Sequence, residues 1–151
     1  MDHASVVNGR ARRALLVLAT LAVLLGVVAL IKARDVGFTE ANPPTVDPGA
    51  MLFGTSDDLP WGKLLQFNPL GALVTLMLGG AALVGAWLRA RALVLVGAVG
   101  FAVVAIQVLA QFGRDSNVLG GRGGNLGLFL ALAIGFAVLA LTPTVEEERP
   151  T

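Results

Sequence analysis

Residues 70–112 read LGALVTLMLGGAALVGAWL, then RAR, then ALVLVGAVGFAVVAIQVLAQF. Two apolar runs, 70–88 and 92–112, are separated only by Arg89, Ala90 and Arg91. At a rise of 1.5 Å per residue, about 20 helical residues cross a hydrocarbon layer of about 30 Å. Neither run alternates polar with apolar residues, which excludes barrel strands and leaves helices. The stretch therefore reads as two consecutive membrane-crossing helices.

The same pattern extends in both directions. Residues 14–31 form a run between Arg13 and Lys32, and residues 126–142 form another between Asn125 and Pro143. All 11 Lys and Arg and all 10 Asp and Glu lie outside the four runs. Hydrophobic residues make up 56% of the chain and charged residues 14%. Soluble domains stand near 45–50% and 25%. The mean hydropathy of +0.79 agrees. The expected fold is all-α: an integral membrane protein with four transmembrane helices in a compact bundle. The first run follows Arg10, Arg12 and Arg13, as in a secretory signal. Its apolar length and the charged Ile31-Lys32-Ala33-Arg34 segment favour a retained helix over a cleaved peptide.

Several function classes fall away on composition. A net charge of +1 and the low charge content exclude a nucleic-acid module, which needs a basic face. Disorder requires low hydrophobicity and is excluded as well. With no cysteine there are no disulfides, thiolate metal sites or cysteine nucleophiles, and the single His3 cannot build an imidazole cluster. No cofactor or metal is expected.

The runs divide the chain into a tail 1–13, a loop 32–69, a turn 89–91, a Gly-rich loop 113–125 and a tail 143–151. With the N-terminus inside, Arg10, Arg12, Arg13, Arg89, Arg91 and Arg149 are cytoplasmic. Lys32, Arg34, Lys63, Arg114 and Arg122 are then outside. The totals nearly balance, but the inside charges are denser and flank the first helix, so both tails are expected in the cytoplasm, in a prokaryotic cytoplasmic membrane. In the first loop, Ser56 or Asp57 can cap a short helix with Pro60 in its first turn. Trp61, Leu64, Leu65 and Phe67 follow, so an interfacial helix is expected over 57–67. Asn68-Pro69 then restarts a helix, a cap followed by proline. The stretch Gly120-Gly121-Arg122-Gly123-Gly124 lacks a Gly-Lys-Ser/Thr ending. It reads as a hinge or a close backbone approach, not a phosphate cradle.

The runs carry no ionisable side chain, so no proton relay or catalytic group is expected within the membrane and the chain is read as no enzyme. Gln107 and Gln111, four apart on the third helix, are the most polar intramembrane candidates. Trp61 and Trp87 fit interfacial anchors. Small residues offer close helix contacts: Gly79 and Gly85 on the second helix, Ala98 and Ala102 on the third, and a stripe of Gly127, Ala131 and Gly135 on the fourth. Expected partners are the lipid bilayer and either a membrane protein or further copies of the chain. The expected function is a structural or accessory subunit of a larger membrane complex; a small permease or channel component acting as an oligomer is the alternative.

Overall fold

The computed structural model describes residues 9–34, 37–39, 65–111, 118–121 and 123–142. These residues form four helices and no strand: α1 (Gly9–Lys32), α2 (Pro69–Leu88), α3 (Arg91–Ala110) and α4 (Gly123–Leu141). All four are long and apolar enough to cross a membrane. Around the bundle α1 lies beside α2, α2 beside α3, α3 beside α4, and α4 closes on α1 through the least extensive of the four interfaces. Neighbours run antiparallel. Gly26 faces Leu76 while Gly79 faces Ala22, and Gly85 faces Val94 while Gly97 faces Ala82.

Size decides which face looks inward. The buried core is built largely of alanine, including Ala19, Ala22, Ala72, Ala82, Ala98 and Ala105, with Phe67, Phe101, Phe129 and Phe136 as its largest members. Larger aliphatics point outward on every helix, among them Leu21, Met77, Val99, Ile106 and Ile134. A water-soluble bundle would place those residues inside and charges outside. Here both surfaces are apolar, and lipid tails offer no hydrophobic drive to separate them. Close backbone packing selects the small residues for the interior. This is the arrangement of a multi-pass membrane protein.

The ends of the helices follow local chemistry. Asn68 caps α2, its side-chain Oδ1 accepting from the Gly71 N–H at 2.7 Å, and Pro69 stands in the first turn where a missing N–H costs nothing. The α2–α3 turn is closed by Arg89 in the left-handed region (φ 58) and by the Ala90 N–H donating to Gly85 O at 2.8 Å.

Three expectations are modified here. The interfacial helix expected over 57–67, with Trp61, lies mostly outside the described residues, and its last three residues, Leu65–Phe67, are not helical. Gly123, Gly124 and Asn125, assigned to a loop, belong to the start of α4, and Arg10, Arg12 and Arg13 belong to the start of α1 rather than to a tail.

Candidate functional site: two polar ends on an apolar bundle

All ten Asp and Glu and His3 fall outside the described residues, whose polar side chains are chiefly amides, hydroxyls, guanidinium groups and the Lys32 ammonium. These collect at the two ends of the bundle.

At the end where α2 and α4 begin, four polar side chains are buried or nearly so. Asn68 Nδ2 donates to Val118 O at 2.7 Å while its Oδ1 caps Gly71. The Gln66 backbone N–H donates to Asn125 Oδ1 at 3.1 Å, and the Thr75 hydroxyl returns to Gly71 O at 2.8 Å. Gln111, at the end of α3, accepts from the Val118 N–H at 3.1 Å. Segment 118–121 is thus gripped from both sides, by α2 through Asn68 and by α3 through Gln111. Two glycines permit it to sit this low. A Cβ on Gly71 would stand 2.6 Å from Leu119 O, and Gly120 takes φ +63 against Asn68. Of the two readings of the Gly-rich stretch, Gly120 takes the close backbone approach.

At the opposite end, Arg12 reaches from α1 to the last turn of α2. Its Nε donates to Ala86 O at 3.1 Å and its Nη2 to Trp87 O at 3.2 Å. A cation on the carbonyl end of a helix satisfies orphan acceptors and complements the helix dipole. Trp87 is 68% exposed beside this contact, next to Arg89.

The remaining sequence candidates distribute unevenly. Gly79 and Gly85 face neighbouring helices, with Cβ positions 3.1 Å from Ala22 Cβ and 2.8 Å from Leu93 Cβ. Ala98 is buried and Ala102 half-buried on α3. The α4 stripe divides: a Cβ on Gly135 would stand 2.9 Å from Leu18 Cδ2, whereas one on Gly127 would have nothing within 4 Å, and Ala131 is exposed. The expected single packing face is therefore not formed. At 3.6 residues per turn, eight residues overshoot two turns by about 80°, which carries Gly127 off the side that Gly135 presents. Gln107 is half-buried on α3. The small-residue seam of α1, Ala19, Ala22, Gly26 and Ala29, continued by Ala33 just past its end, escaped the sequence reading although its spacing of three and four was there to be seen.

No protein-family model, curated protein or solved structure matches the chain.

Proposed function

We propose that the chain is a structural or accessory subunit of a larger membrane assembly, meeting its partner along the outer face of α4. The observation carrying this reading is the outward placement of Gly127 and Ala131, where a side chain on Gly127 would enter open space. Lipid alone is served as well by leucine, a better helix former than glycine. A second transmembrane helix gains from the small residue, because only close backbone approach rewards association in a bilayer. The polar side chains of the bundle support the same reading: Asn68, Asn125, Gln111 and Arg12 all bond within the chain's own ends. Both tails in the cytoplasm is the orientation that the arginine-rich end favours.

The test replaces Gly127 and Ala131 by leucine together and compares partner co-purification in mild detergent with thermal stability of the chain. Association should fall while stability is retained. Undiminished association would overturn the α4 face. Solute uptake in vesicles that Gln107→Leu abolishes in a folded protein would overturn the accessory role in favour of a permease component. For orientation, single cysteines at Ala50 and Asn117 should react with an impermeant maleimide in intact cells, and one at Ala4 should not.

A further inference from the structure

We propose that the arginine end of the bundle holds the phosphate headgroup of an anionic phospholipid at Arg13 and Arg89, with an acyl chain lying along α1. Arg12 ties the start of α1 to the end of α2 through Ala86 O and Trp87 O. That contact brings Arg10 and Arg13 on α1 to the same end as Arg89 and Arg91 of the α2–α3 turn. Arg13 and Arg89 are exposed. At the opposite end the described basic residues are Lys32 and Arg34 alone.

The apolar surface below these charges selects lipid over a free anion. A shallow open depression lies over Leu16, Val17, Thr20 and Leu21. These stand three, four, seven and eight residues after Arg13, on the same helix face and running away from the charged end. Val17 is 62% and Leu21 58% exposed. A headgroup on the guanidinium groups thus places its chain in the depression. Basic clusters at a membrane surface attract anionic lipid strongly enough for a measurable preference.

The exposed Trp87 reports on this site. With Trp61, the only other tryptophan, replaced by phenylalanine, the chain is reconstituted in vesicles of equal phosphatidylglycerol and phosphatidylcholine. One lipid at a time carries brominated chains that quench tryptophan. Phosphatidylglycerol should show a relative binding constant at Trp87 about threefold or more above phosphatidylcholine. Arg13→Gln with Arg89→Gln should bring it near unity, and Lys32→Gln should leave it unchanged. A constant near unity in the parent, or one indifferent to the double substitution, overturns the proposal. If the double variant does not fold, salt decides. At roughly 1 M the Debye length is about 3 Å and the preference should collapse; its persistence overturns the site. Loss of the preference to millimolar inorganic phosphate at constant ionic strength would show that a free anion, not a lipid, is the occupant.

Discussion

The α1/α2 and α3/α4 pairs are both tightly packed antiparallel pairs, yet they are held by opposite means. Between α1 and α2 the backbones themselves touch. A Cβ on Gly26 would stand 2.7 Å from the Leu76 nitrogen, and one on Gly79 would stand 3.1 Å from the Val23 nitrogen. Between α3 and α4 the space is filled by rings. Phe101 stacks on Phe129 at 6.0 Å and on Phe136 at 5.9 Å, and Phe67, just before α2, meets Phe129 edge-on at 6.2 Å. One pair gains dispersion by excluding side chains, the other by interlocking large ones. Both solve the same problem, because in lipid only the closeness of packing distinguishes a neighbouring helix from an acyl chain. The two pairs should therefore fail under opposite perturbations.

The largest effect is expected from removing atoms on the aromatic side. Phe101→Ala deletes the ring shared by two stacks and should lower stability by about 3–5 kcal/mol, read from reversible unfolding in mixed micelles. A loss under about 1 kcal/mol would mean that the α3/α4 interface collapses to fill the space. Adding atoms is the matching insult to the other pair. Gly26→Leu drives a side chain into the Leu76 backbone, which cannot swing aside, and should cost about 3 kcal/mol by the same assay. An unperturbed Gly26→Leu protein would erase the contrast between the pairs.

Asn68 lies outside both interfaces and sharpens the comparison by acting through polar groups. Asn68→Ala removes the α2 cap and the bond to Val118 O, for an expected loss of about 0.5–2 kcal/mol. Asn68→Ser retains a capping oxygen without the amide donor or a buried charge, so it should recover part of that stability. Equal losses in the two variants would assign the whole effect to the Val118 contact. The smallest effect belongs to Gly127→Leu in the isolated chain. Its side chain enters open space on a lipid-facing surface, and stability should change by less than about 0.5 kcal/mol.

Legibility differed between features in a way that follows from their physics. The cap at Asn68-Pro69 was readable because it depends on adjacent residues and backbone geometry alone. The grip on segment 118–121 was only half readable. The glycines announced a close approach, but Val118, Asn68 and Gln111 meet across three different parts of the chain. Nothing in the order of residues marked Arg12, among three arginines, as the one whose guanidinium reaches the end of α2.

What the sequence determined by itself was the number of spans, their approximate limits and the membrane as solvent. Transfer free energy accumulates along the chain, so about 20 apolar residues without charge suffice to identify a crossing. Only the tertiary structure decided which of the small-residue faces turn inward. A helix apolar all round carries no sidedness in its hydropathy. The choice then falls to volume, which is measured against a neighbour. Gly135 finds Leu18 and becomes a contact, while Gly127, eight residues earlier in the same stripe, meets open space. The two glycines are chemically alike; the position of α1 separates them.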